Sequence, residues 1–243
     1  MQVIQRALPR MVFGTHHKAG TVLMQNIATR LSSLLGLPLH VLRGRHVSPP
    51  DGWRMVRDTH SAWLMGLPAA TEDIRAVHIV RDPRMIPVSS ALYHLHSKEE
   101  WLHHPDEAFG GLTYQQYLKS LPDDESRFSF ELEQGAASKT LTDMEVLSRT
   151  DQPWRMDVKL EVLMTDTRLE TYTRIFEHLG LAGAALDRAL GIAFENSVFN
   201  SGASRTSHVR SATPEDWRDY LSPEQASSLE SRHPGLCQRL GYA

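Results

Sequence analysis

The chain has 243 residues, 41% of them apolar and 23% charged, with a formal net charge of −3. That length and mix are ordinary for a globular α/β protein with a sizeable core. The small negative charge gives no global pull toward nucleic acid or an anionic membrane, so any anion site must be built from local basic residues. A single cysteine, Cys237, excludes an internal disulfide and fits a reducing, cytoplasmic setting. Residues 1–10 carry Arg6 and Arg10 without an apolar run, which reads against a signal peptide. No stretch approaches the roughly 18 continuous apolar residues of a transmembrane helix.

In chain order, Met11-Val12-Phe13 reads as a buried strand ending at Gly14. Val22, Leu23, Ile27, Leu31, Leu34 and Leu35 then fall at helical spacing, and Gly36 is a stop signal. Leu39–Leu42 and Trp53–Val56 read as short strands, and Ala76–Val80 as a clearer one. Asp82-Pro83 predicts a helix start, with Asp as N-cap and Pro in the first turn. Residues 95–154 read as helical or irregular, with helices near Thr113–Leu121 and Lys139–Ser148. Met156–Leu163 reads as a late strand. Arg168–Leu179 and Ala184–Phe194 follow as amphipathic helices. Asn196–Ser211 reads as a surface loop. Helix starts are expected at Thr213-Pro214 and at Ser222, where Ser222 and Gln225 have capping-box spacing. Strands alternating with helices predict an α/β fold: one domain over 1–243, a central parallel sheet and helices on both faces.

The turn after the first strand is Gly14-Thr15-His16-His17-Lys18-Ala19-Gly20-Thr21. Glycines allow close backbone approach, Lys18 brings a cation and Thr21 a hydroxyl, and a helix N-terminus offers unpaired N–H groups. A plain strand–helix turn with a solvated lysine has the same residue types. A nucleotide P-loop of the Walker type needs Lys directly after the second Gly, whereas Lys18 precedes Gly20. The stretch Lys18-Ala19-Gly20-Thr21 instead resembles the 5′-phosphosulfate loop of sulfotransferases that use 3′-phosphoadenosine-5′-phosphosulfate (PAPS), with Ala19 where Ser is usual.

A second motif, Arg81-Asp82-Pro83-Arg84 with Ser89 eight residues after Arg81, is similar to the segment in which that family contacts the 3′-phosphate. Arg suits the role because it holds a phosphate with two parallel hydrogen bonds. Arg210 and Trp217 keep the separation of the family's C-terminal Arg and Trp, while Ser211 and Ala212 replace its Lys and Gly. The resemblance then implies either weaker binding or a substitute cation, Arg205 or Arg84. Thr59-His60 matches the family's Lys-Thr-His segment apart from Asp58 in place of Lys.

The resemblance implies a P-loop-like sulfotransferase fold and sulfuryl transfer from PAPS to a hydroxyl or amine of a small-molecule, lipid or glycan acceptor, leaving PAP. His60 is then the base and Lys18 the catalytic cation. Lys18, Ala19, Gly20, Thr21 and Val22 hold the 5′-phosphate, and Arg81, Ser89 and Arg210 the 3′-phosphate, with no metal. An acceptor-binding lid is expected over 95–154. Among the 13 histidines, His94, His96, His103 and His104 form a second cluster, read as exposed or pocket-lining more readily than as metal ligands. The competing readings are a P-loop kinase or NTPase, and an inactive nucleotide-binding module.

Overall fold

The computed structural model describes residues 8–44, 47–68, 73–200 and 214–242. In chain order the elements are β1 (Arg10–Gly14), α1 (Thr21–Leu35), β2 (Leu39–Leu42), β3 (Met55–Asp58), β4 (Ile74–Val80), α2 (Met85–His94), α3 (Tyr114–Ser120), α4 (Asp124–Glu133) and α5 (Ala136–Ser148). They continue with β5 (Arg155–Lys159), α6 (Leu160–Thr165), α7 (Glu170–His178), α8 (Gly183–Asn196), α9 (Pro223–Arg232) and α10 (Leu236–Arg239). Two compact units emerge. One holds the described residues through Val80 and from Thr150 to Pro214; the other holds Arg81–Arg149 and the residues from Glu215 onward.

The first unit contains a five-stranded, all-parallel sheet ordered β2-β3-β1-β4-β5. Side chains alternate across a strand, so Met11, Phe13, Met55, Val77 and Ile79 share one face. That face packs on Met24, Ile27 and Leu31 of α1, on Tyr172, Ile175 and Phe176 of α7, and on Ala189 and Ile192 of α8. Each large apolar side chain buried there contributes about 1.5–3 kcal/mol. The α1 helix ends where expected, with Gly36 left-handed and its N–H donating to the Ser32 carbonyl.

Parallel register brings every strand's C-terminal end to one edge. Leu42, Asp58, Gly14, His78 and Asp157 are successive register partners across that edge. The chain leaves β1 toward β2 on one side, and β4 lies on the other. The turn after β1 therefore stands at the topological switch, where open parallel sheets bind ligands.

In the second unit, α2 packs on α4 and α5, and α5 on α10. Met85, Val88, Ala91, Phe128 and Leu221 form one small core. Leu102, Tyr114, Leu118 and Phe130 form another. Thr113 and Ser222 each make a full capping box, for α3 and α9.

Several boundaries differ from expectation. The third strand is Met55–Asp58 rather than Trp53–Val56, which brings Arg57 and Asp58 into the sheet. The late strand stops at Lys159, and Leu160–Thr165 turns helical, because a short apolar run carries no period that separates strand from helix. Asp82 does not cap α2. Its Oδ1 accepts from the Arg84 N–H at 2.9 Å in a tight turn, and the helix begins at Met85. The acidic run Asp123-Asp124-Glu125 starts α4, with Asp123 as N-cap; carboxylates there suit the positive helix end. Thr213, expected to start a helix, lies outside the described residues; after Pro214, Asp216 caps a short 3-10 turn, Trp217–Asp219.

Candidate active site

The Gly14–Thr21 turn joins β1 to α1 on the edge where the strands end. Its shape is set locally. Lys18 sits at φ 64° and Gly20 at φ 76°. Left-handed backbone costs a side-chain-bearing residue roughly 1–2 kcal/mol, so Lys18 is held there by its surroundings. Gly20 is doubly required: besides its φ, a Cβ would come within 2.9 Å of Leu160 Cδ1.

The His16 carbonyl is the hub of the turn. It accepts from the Ala19 N–H at 3.0 Å and from Thr21 Oγ1 at 2.9 Å. No side chain caps the N-terminus of α1, and its first turn holds no acidic residue. The arrangement suits an anion: a helix N-terminus whose first turn carries no acidic residue, with a lysine in the turn before it.

A second loop is laced to the first. The Thr15 N–H donates to the Asp58 carbonyl at 3.0 Å, Thr15 Oγ1 to the Thr59 carbonyl at 3.4 Å, and Ser61 Oγ to the Thr15 carbonyl at 3.0 Å. Gly14 makes this lacing possible, because a Cβ there would lie 2.3 Å from Leu64 Cδ1 and 3.0 Å from Ser61 Oγ. His60, in the second loop, is exposed, whereas Thr59 beside it is buried with Oγ1 donating to the Leu42 carbonyl at 3.0 Å. The structure thus brings His60 and the Lys18 turn to the same sheet edge.

Asp58 is a clamp. It is 1% exposed, and its Oδ2 accepts from the Trp63 and Leu64 N–H groups at 2.8 and 3.0 Å. Burial pushes its carboxyl above the usual range, partly offset by those backbone bonds.

Beneath the turn lies a polar chain that residue types alone did not expose. His16 Nε2 is 2.8 Å from His78 Nε2, and His78 Nδ1 is 2.9 Å from Asp157 Oδ1. Arg155 grips the same carboxylate through Nε at 2.8 Å and Nη2 at 3.1 Å. His16 and His78 are each 1% exposed. Burial, then the neighbouring His78, His60 and Arg155, push the His16 imidazole well below its ordinary value. Burial alone would raise Asp157, but His78 and Arg155 outweigh it and hold the carboxyl below the usual range. A repeated histidine before Lys18 was the available sequence signal; its partners lie 62 residues further on and, from His78, another 79.

In the second unit, Arg81 and Ser89 are both partly accessible, Arg81 just after β4 and Ser89 within α2. Arg84, considered as a substitute cation, is engaged. Its Nε and Nη2 bind Asp82 at 2.9 and 2.8 Å, and its guanidinium lies 4.6 Å from the Trp217 ring centre. Arg205, Arg210, Ser211 and Ala212 lie outside the described residues. His94 does not line a pocket. It is fully buried, 2.6 Å from Glu131 Oε1, with its ring edge-on to Trp101 and Tyr114. His96, His103 and His104 are exposed.

The fold, a parallel sheet with the Gly14–Thr21 turn after its central strand, matches the sulfotransferase fold. A mouse sulfotransferase, SULT7A1, complexed with PAP, superposes with a TM-score of 0.59 at 15% identity, covering 95% of this chain and 84% of that one. Retinol dehydratase in complex with androsterone and inactive cofactor PAP superposes with a TM-score of 0.53 at 17% identity, covering 95% and 81%. No protein-family model and no curated protein matches the chain. Among the described residues, no helix is long and apolar enough to cross a membrane.

Proposed function

We propose that this protein is a sulfotransferase that moves a sulfuryl group from PAPS to a hydroxyl or amine of a small-molecule acceptor in the cytoplasm. The observation that carries the reading is the turn itself. Lys18 is held in a left-handed conformation beside an uncapped helix start, and a loop bearing His60 is laced to it. Neighbours of the same fold that bind PAP support the choice of donor.

His60 takes the acceptor proton as the acceptor oxygen or nitrogen attacks sulfur. Lys18 stabilises the charge that develops on the bridging oxygen as the bond to the 5′-phosphate breaks, and no metal is needed for that neutralisation. The N–H groups of Gly20, Thr21 and Val22 bind the 5′-phosphate, while the Ala19 N–H, expected among them, is given to the His16 carbonyl. Thr21 Oγ1 donates its hydrogen bond to the His16 carbonyl, so the hydroxyl braces the turn that presents those groups. By resemblance, Arg81 and Ser89, with Arg210, bind the 3′-phosphate that separates PAPS from ATP, and residues 95–154 supply acceptor contacts.

The test is metal-free calorimetry with PAP and, separately, with ADP. Preference for PAP that is lost in Arg81→Ala supports the donor assignment and leads to an acceptor screen with PAPS. Equal binding of the two, or binding only of ATP with Mg²⁺, overturns it in favour of a kinase or NTPase.

A further inference from the structure

His78 and Asp157 carry no part of the chemistry above, yet they are bound to its central turn. Both closing bonds of the turn converge on one carbonyl, that of His16. The ring of that residue is tied into the sheet through His78 of β4 and Asp157 of β5. A carboxylate only accepts hydrogen bonds, so Asp157 takes the proton on His78 Nδ1. In a neutral pair, His78 Nε2 is then a bare acceptor and the shared proton sits on His16 Nε2. Arg155 fixes Asp157 from the other side, as an outer partner orients a histidine ligand in metal sites. Other titratable groups close by are His17 and Lys18 on the turn itself, and His60 and Asp58 on the strand end and loop laced to it. His60 bears on the His16 ring by its charge, and Asp58 is a register neighbour of Gly14, turned toward the Trp63 and Leu64 N–H groups.

We infer that His16, His78 and Asp157 form a directional hydrogen-bond relay that positions the Gly14–Thr21 turn for donor binding, with His16 as the positioning residue. The inference deepens the donor-site reading and rests on it for its functional meaning; the relay itself rests on the geometry. It predicts a fixed tautomer pair, Nε2–H on His16 and Nδ1–H on His78, and a turn whose order depends on residues far away in sequence.

Three readouts test it on the full chain without an acceptor. Ring ¹⁵N NMR reads the tautomers, amide exchange at Ala19 reads the turn, and calorimetry with PAP reads the site. In His78→Phe, both ring bonds are lost while bulk is kept. Ala19 exchange should quicken about tenfold or more, with Val12 and Val77 in the sheet unchanged, and PAP affinity should fall about 10-fold to 100-fold. His78→Gln, which keeps a donor and an acceptor, should recover part of both losses. Asp157→Asn is the milder probe should His78→Phe fail to fold: a changed His78 tautomer with faster Ala19 exchange supports the relay. The relay is overturned if the wild-type His16 ring carries its proton on Nδ1, or if Ala19 exchange is unchanged in every folded variant. Wild-type protein that ignores PAP would defeat the donor-site reading, while tautomers and exchange would still decide the relay.

Discussion

Replacing Asp58 by Lys restores the Lys-Thr-His segment of the resembled family, and should nevertheless destabilise this chain. Asp58 Oδ2 accepts two backbone N–H groups, from Trp63 and Leu64, at 2.8 and 3.0 Å. Hydrogen bonds to a charged acceptor contribute roughly 1.5–3 kcal/mol each, so the pair is worth about 3–6 kcal/mol before the penalty of burying the carboxylate. That penalty is present, since burial raises the carboxyl of Asp58, and it leaves a net of about 2–3 kcal/mol for Asp58→Ala. Lys adds a cation at a position 1% exposed, next in register to Gly14, and leaves both N–H groups without their acceptor. The loss should reach about 4 kcal/mol, in the range for an uncompensated buried charge. Asn keeps one acceptor oxygen and should cost about 1–2 kcal/mol. Urea unfolding at neutral pH, with the slope checked for constancy, measures the series. An Asp58→Lys protein within about 1 kcal/mol of the parent would refute the clamp. Tighter PAP binding by that variant would then make position 58 part of the donor site.

Lys18→Gly should abolish sulfuryl transfer while stabilising the fold by about 1 kcal/mol, because glycine accepts φ 64° without the side-chain penalty; a radiolabelled-donor assay beside a melting curve checks both halves. His16 has an imidazole pushed well below its ordinary value, so the unfolded chain binds the extra proton first. Its contribution to stability is therefore present above about pH 6.5 and is lost as pH falls below it, by up to about 1.4 kcal/mol per pH unit. Denaturant titrations at successive pH values should show that slope in the parent and a reduced one in His16→Gln. Glu131→Gln weakens a fully buried partner of His94 at 2.6 Å, and Glu131→Ala removes it; the second should cost about 3–5 kcal/mol in urea unfolding and the first less.

Local signals were legible wherever a few neighbouring residues determine the conformation. The β1–α1 turn is an example: glycine at a left-handed position, lysine and threonine at fixed offsets, and an apolar period starting at once afterward are all contained in about ten residues. The capping box at Ser222 is another. The β2 strand was read at its observed bounds, Leu39–Leu42. The late apolar run at 156–163 was not resolved, because strand and helix bury such a run equally well and only its end against β4 decides where the strand stops.

The sequence by itself thus determined the α/β class, the turn between β1 and α1 and the residues that resemble a sulfotransferase donor site. Only the tertiary structure decided that Asp58 clamps the Trp63 and Leu64 N–H groups, that Arg84 is taken by Asp82 and Trp217, and that His94 is taken by Glu131. It also decided that His16 reaches Asp157 through His78. The physical reason is common to all four. A polar group taken out of water must find a partner, and packing decides which: neighbours in the same loop for Asp58 and Arg84, and, through strand register and helix packing, residues tens of positions away for His94 and His16.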